Sequence, residues 1–274
     1  MADVLRRLLA TPQGVLGFGI VLLVGIAAIG GSALAPFDPA AISPLARYRG
    51  PGPVNWLGTD QLGRDILSRL MAGAGVTVGL AVVATLAGTF VGAAIGTASA
   101  FAGGRIDNAI MRTNDAILAI PNLLLALLIV SVLGRSSANA VVAIAIAFVP
   151  GMARITRSVA LTVRKQDYVN AAVARGEAAG FIVFREMLPN VVAPVVVETT
   201  LRVAFAVMTF ATLSFLGLGA QPPDSDWGLM VAEARRFMHL NPWMIVWPAA
   251  AIATVAIGFN LLGDGLRDAL NPRT

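Results

Sequence analysis

Cysteine is absent from the 274 residues, so the chain can form no disulfide and offers no thiolate as nucleophile or metal ligand. Histidine occurs once, at His239, and one imidazole without cysteine does not furnish a zinc or nickel cage. Lysine also occurs once. Lys165 follows Arg164, so there is no phosphate-cradling loop of the form G-x-x-x-x-G-K-[ST], and the chain is not expected to hydrolyse ATP. There is no HExxH pair and no G-x-S-x-G nucleophile elbow, which removes the commonest membrane hydrolase readings. Charge is scarce too: 13% of residues are charged, where a soluble domain carries about a quarter.

What fills the chain instead is apolar: 57% of residues are hydrophobic, and they come in long runs that suit a bilayer rather than a soluble core. Six stretches are candidates to cross a hydrocarbon core of about 30 Å, at 15–34, 76–101, 116–133, 140–152, 191–218 and 243–262. The fourth is short unless it continues past Pro150. The ten-residue alternation of a membrane barrel is missing, so the expected class is an all-α integral membrane protein with about six transmembrane helices. Arg6 and Arg7 precede a first run that ends in Ala33-Leu34-Ala35, which resembles a signal-peptidase site. Signal h-regions span only about 7–15 residues, and this longer run predicts an uncleaved helix.

The net charge of +5 comes from 19 arginines and one lysine against 15 acids. These cations gather in connecting segments, which points to membrane orientation and contact with membrane lipid, not to nucleic acid. With the N-terminus inside, twelve basic residues, Arg273 among them, fall in inner segments and seven in outer ones, so both termini are expected in the cytoplasm. The resulting division is an N-terminal segment 1–14, a first helix 15–35, an outer segment 36–75, and a five-helix core 76–265. That core contains a cytoplasmic loop at about 156–190 and an outer loop 219–242, and a cytoplasmic tail 266–274 follows it.

The inner loop carries the most informative pattern. Asp167-Tyr168-Val169-Asn170-Ala171-Ala172-Val173-Ala174-Arg175-Gly176, then Leu188-Pro189, reads as helix, turn, helix. Ala171 and Ala172 favour helix and let a partner's backbone come close. Gly176 can take a positive φ where the chain reverses, and Pro189 suits a helix start. An ordinary amphipathic loop is the plainer alternative. The spacing of Ala171, Ala172, Gly176, Leu188 and Pro189 resembles the coupling loop of ABC-importer permeases, the segment that docks on a separate ATPase subunit.

Further stretches are similar to the dipeptide, oligopeptide and nickel branch of that family. They are Gly58-Thr59-Asp60-Gln61-Leu62-Gly63-Arg64-Asp65 with Ser68-Arg69; Asp107, Met111-Arg112 and Asp115 with Pro121; Leu213-Ser214-Phe215-Leu216-Gly217-Leu218-Gly219; Trp227-Gly228; Pro242-Trp243; and Phe259 to Asp268 with Pro272. The long outer segment resembles that of the second of two paired permeases. The resemblance implies a type I importer permease fold in a bacterial or archaeal inner membrane. It also implies a second permease subunit, one or two ATPase subunits that hold ATP and Mg, and an extracytoplasmic substrate-binding protein. No cofactor is implied in this chain. Asn170 stands where the wider family has an acid, as the peptide branch often allows, whereas Arg175, Glu177, Glu186 and Phe210 stand where Leu, Ala, His and Glu are common.

Two charged groups remain open to two readings each. Glu198 and Arg202 stand four apart on one helical face, either as a structural pair near the inner interface or beside the translocation path. Asp60, Arg64, Asp65 and Arg69 alternate in sign at helical spacing. They suit a docking patch for the binding protein, or a solvated interfacial helix capped at Thr59. Nickel or another small solute is the alternative cargo, and a stand-alone carrier or channel the alternative class.

Overall fold

The computed structural model describes residues 2–270, and within them the chain is a bundle of helices without a named strand. Pro272 and Arg273 lie outside the described residues. A short helix α1 (Ala2–Leu8) leads into α2 (Pro12–Leu34), which Thr11 caps by accepting from the Gly14 amide at 3.1 Å. At 23 residues α2 is roughly 34 Å long, enough to cross a bilayer.

The non-helical segment expected at 36–75 is shorter, because Ile66–Ala74 are already helical. Helix α3 (Ile66–Ala74) passes through a π-helical turn, Gly75–Gly79, into α4 (Leu80–Ala102) without a break. Its cap is Asp65, not Thr59: the Asp65 carboxylate accepts from the Ser68 amide at 2.8 Å, while Thr59 is spent on loop contacts. A fourth span confined to 140–152 is likewise too short. Helix α7 (Ser137–Val163) runs straight through Pro150, so its 27 residues cross comfortably. Helix α8 (Asp167–Ala174) and a single turn, α9 (Ala179–Phe181), follow; a π-helical stretch, Ile182–Met187, then leads into α10 (Leu188–Phe215). Pro189 has no N–H to give the Arg185 carbonyl, and the wider turn lies just ahead of it. The loop expected at about 156–190 thus reduces to the residues between Val163 and Ala179, which include α8. Helix α11 (Trp227–Ala234) occupies the loop 219–242. Helix α12 (Trp243–Leu270) absorbs the first part of the tail placed at 266–274.

The third expected span, 116–133, is not one straight helix. Helix α5 (Gly104–Leu118) and helix α6 (Asn122–Leu133) meet at 86°. Pro121 sits at the break with ψ at 133°, outside the helical region, and a proline disfavours helical conformation in the residue before it. Five helices are therefore long and apolar enough to cross a membrane, and a sixth span exists if the bent pair counts as one.

Packing centres on α4 against α7, the most extensive helix pair in the molecule. Gly88, Gly92 and Gly96 recur every fourth residue on α4, with Ala84 and Ala100 continuing the row at full burial. A Cβ on Gly92 would stand 2.6 Å from the Met152 Cβ and 2.7 Å from the Val149 carbonyl oxygen, and one on Gly88 2.6 Å from the Ala145 carbonyl oxygen. Lipid tails are as apolar as leucine, so contact of this closeness, not hydrophobic exclusion, joins helices in a bilayer. Helix α5 lies antiparallel along α7 through a polar ladder. Arg157 pairs with Asp107, which also accepts from Ser99 Oγ at 2.5 Å; Asn114 donates to the Pro150 carbonyl at 2.8 Å; Arg154 pairs with Asp115.

Two ends of the bundle can be told apart by what covers them. At one end α8 underlies the termini of α4, α7 and α10. At the other, α11 covers the start of α3 and the end of α10, its Trp227 indole donating to the Leu70 carbonyl at 2.9 Å. There the charges expected on a surface patch turn inward. Asp60 Oδ2 accepts from Arg64 Nε at 2.6 Å and Arg69 Nη1 at 2.7 Å; Glu233 Oε2 of α11 accepts from Arg64 Nη2 at 2.8 Å and Arg69 Nη2 at 3.0 Å. Arg69 is 1% exposed, and Asp60, Arg64 and Asp65 are buried with it. These four side chains are therefore not a docking surface. Two guanidinium and two carboxylate groups neutralise one another, and only a closed set of that kind is tolerated away from water.

The glycine row makes a direct prediction. Gly92→Ile overfills the α4–α7 seam and should lower the melting temperature of the purified protein by at least about 5 °C, with reduced yield. Gly25→Ala, at a position where an added Cβ meets nothing within 4 Å, should leave both unchanged. Equal melting curves for the two variants would remove the seam from the account.

Candidate functional site

Helix α8 begins after Gln166, in extended conformation, with Asp167 in its first turn where the positive end of the helix dipole favours an acid. It ends in a left-handed residue. Gly176 has φ +74°, its amide donates to the Val173 carbonyl at 3.0 Å, and the Glu177 amide donates to the Ala172 carbonyl at 3.2 Å. This paired closure requires positive φ at the glycine, and nothing lies within 4 Å of an added Cβ there. Glycine is needed for its backbone alone.

One face of α8 is buried and the other is free. Val169 and Ala172 sit in a cluster with Ala100 of α4, Ala160 and Val163 of α7, and Ile182, Met187 and Val191 of the stretch entering α10. Asp167, Tyr168, Asn170, Ala171, Val173 and Ala174 are exposed. Ala172, expected beside Ala171 on a contact face, is thus a core residue, because consecutive helical positions point about 100° apart. Burial, and then the Glu186 carboxylate, push the Tyr168 phenol above its ordinary range, so it stays protonated at neutral pH.

The later residues of the motif separate. Leu188 packs on the same cluster, while Pro189 is exposed and lines a different feature. This is an apolar groove of about 700 Å³ between α1, α10 and α12, bounded also by Leu8, Val192 and Leu266.

Further along α10, Arg202 Nε lies 3.0 Å from Glu198 Oε1, close enough for an ion pair though not aligned as a hydrogen bond. Arg202 turns toward α7. Its guanidinium stands 5.6 Å from the Phe148 ring centroid and fills a notch at Gly151, where a Cβ would come within 2.6 Å of it. Glu198 lines a cavity of about 300 Å³ together with Ile155 of α7, Pro194, Val197 and Arg267. Beside Ile155 is Arg154, whose pair with Asp115 is left open, the side chains 56% and 59% exposed. Sequence reasoning missed this second pair. The available signal was an arginine four residues beyond Pro150, inside a helix that does not stop there. Among the described residues, no group of three or more His, Asp or Glu side chains could hold a metal ion.

Residues 88–274 match the family described as binding-protein-dependent transport system inner membrane component. The dipeptide transport system permease protein DppC of Haemophilus influenzae is 40% identical over 264 residues, covering 94% of this chain and 90% of that protein. The probable D,D-dipeptide transport system permease protein DdpC of Escherichia coli is 40% identical over 274 residues, covering 99% and 91%. The glutathione transport system permease protein GsiD of Pectobacterium atrosepticum is 39% identical over 258 residues, covering 94% and 85%. These matches extend over nearly the whole chain, spans and α8 included. The chain belongs to the family of binding-protein-dependent transport system inner membrane components, and it is a multi-pass permease subunit of an importer, not an enzyme.

Proposed function

We propose that this chain is one of two paired permeases that import di- or oligopeptides, and that α8 is the part a separate ATPase subunit grips. The observation that carries the reading is the two-sidedness of α8. Its free face offers Asn170, Ala171 and Ala174, small enough for close approach. Its buried face is locked into the same cluster as the ends of α4, α7 and α10. A displacement of α8 is therefore passed to three helices at once. ATP with Mg, bound on the partner ATPases, supplies the displacement, and rigid-body rocking of the helices switches the pathway between the two sides. The α8 end is cytoplasmic on this reading, in keeping with the excess of basic residues there.

Peptide as cargo rests on the relatives, whose names give dipeptide, D,D-dipeptide and glutathione. Such solutes carry both charge signs. The Glu198–Arg202 and Asp115–Arg154 pairs would meet them with both signs as well, and each pair sits in or beside a membrane-crossing helix, where charge is kept facing protein or water.

Two experiments test this. Gly176→Val forces a β-branched residue into positive φ, at a cost of about 1–3 kcal/mol, and breaks the α8 closure. The variant should insert and assemble, yet lose about tenfold or more in both peptide uptake and transport-linked ATPase activity in proteoliposomes. Unchanged uptake would remove α8 from the coupling role. The double variant Glu198→Gln/Arg202→Gln should raise the KM for a zwitterionic dipeptide several-fold relative to a terminally blocked one, at normal yield. A fall in yield with unchanged preference would make the pair structural only.

A further inference from the structure

The end of the bundle that carries α11 sorts its charges into two groups. Asp60, Arg64, Arg69 and Glu233 are mutually paired and turned inward. Arg47, Arg49, Arg235 and Arg236 are exposed, and none of them makes an ion pair among the described residues. The exposed four come from segments almost two hundred residues apart, yet the fold brings them together. Arg47 and Arg49 flank Tyr48, whose ring stands 5.5 Å from that of Phe237, and Arg235 and Arg236 immediately precede Phe237. Asn241 fixes the junction, its side-chain amide donating to the Arg49 carbonyl at 3.0 Å and the Thr59 carbonyl at 3.1 Å.

This surface is built before any partner arrives. The Thr59 amide donates to the Arg49 carbonyl at 2.9 Å, the Arg49 amide donates to Thr59 Oγ1 at 3.0 Å, and the Tyr48 amide donates to the Asp60 carbonyl at 3.2 Å. The Arg235 guanidinium is held 5.6 Å from the Phe215 ring centroid. Four like charges gathered on a rigid frame repel one another, and a partner of opposite sign relieves that repulsion without first having to order the loop. Leu45, 91% exposed, with Met238 and Leu240, adds apolar contact at the margins. The exposed acids at this end, Asp38 and Asp224, are unpaired among the described residues, and Asp38 caps the Ala40 amide. Helix α11 packs on α3 and α10, and Arg235 and Arg236 follow its last residue, outside the candidate spans.

We propose that Arg47, Arg49, Arg235 and Arg236 form the docking face for the extracytoplasmic solute-binding protein, which meets them with an acidic surface. The inference rests on the importer reading above and moves the contact from the buried charge cluster to these four residues.

The test uses the assembled transporter in nanodiscs of neutral phospholipid, with ATPase activity titrated against the cognate binding protein loaded with a dipeptide. Arg47→Glu/Arg49→Glu and Arg235→Glu/Arg236→Glu should each raise the half-saturating concentration about tenfold or more, with the rate at saturation close to wild type. Added salt should weaken the wild-type response more than that of either variant. Arg135→Glu, an exposed arginine in the turn between α6 and α7, should leave the titration unchanged. Unaltered half-saturation in both double variants overturns the docking face. So does a defect that appears only when anionic phospholipid is present, which would make the arginines a lipid contact. If the wild-type transporter is not stimulated by any dipeptide-loaded binding protein, it is the peptide-import reading that fails.

Discussion

Everything else in the bundle is hung on the contact between α4 and α7, and that contact exists because Gly88, Gly92 and Gly96 have no side chains. With the two backbones this close, α7 can serve as a post for its neighbours. On one side α5 is tied to it by Asp107, Asn114 and Asp115; on another, Arg202 of α10 is lodged over Phe148 at the Gly151 notch. At its end Ala160 and Val163 form part of the seat for α8. Widening the seam by a single side chain would displace three attachments, not one, because interiors packed to crystal density pass strain on instead of absorbing it.

Buried charge is held in one of two ways. It is ion-paired, often between segments distant in sequence, as Glu233 joins α11 to Arg64 and Arg69, or it is held by hydrogen bonds alone, as Asp65 is by Asn55 and Ser68 and Asp226 by Thr77 and the Leu229 amide. The unpaired Arg47, Arg49, Arg235 and Arg236 are exposed. The alternating pattern Asp60, Arg64, Asp65, Arg69 looked like a surface helix because spacing reports which residues are neighbours and carries no information about which side faces water. The fourth member of the closed set, Glu233, lies 164 residues beyond Arg69, out of reach of any local pattern.

The same distinction separates what the sequence made legible from what it did not. Long apolar runs located α2 to within a few residues and the start of α12 at Trp243, since a span needs length and little else, while residues 263–270, by which α12 outruns its apolar stretch, carry charge and so read mostly as tail. Gly176 was legible because positive φ is a local demand, and the observed +74° is what a helix-closing glycine supplies. The break at Pro121 was available in principle, as proline restricts the residue before it, but apolarity on both sides of it hid the bend. The four-residue glycine row on α4 was equally readable and was hidden by the same hydropathy. That Ala172 packs inward while Ala171 stays free depends on where α8 sits on the bundle, a tertiary fact that no count of alanines contains.

A lever needs a stiff seat and a compliant far end, and the helices divide along that line. Beneath α8 the seat is made of small, fully buried residues, Ala100, Ala160 and Ala172, with Val169, Ile182 and Met187 filling between them, so little motion can be lost there. Compliance is found instead along the spans: Pro150 in α7, Pro194 in α10 and Pro248 in α12 each remove one backbone hydrogen bond from an otherwise continuous ladder. Pro150 and Pro194 fall between the α8 seat and the Arg202–Phe148 and Glu198 contacts or directly beside them. On the proposed reading, a push on α8 is carried rigidly into the ends of α7 and α10 and released as bending next to the charged pairs, which is where a change in access would have to occur.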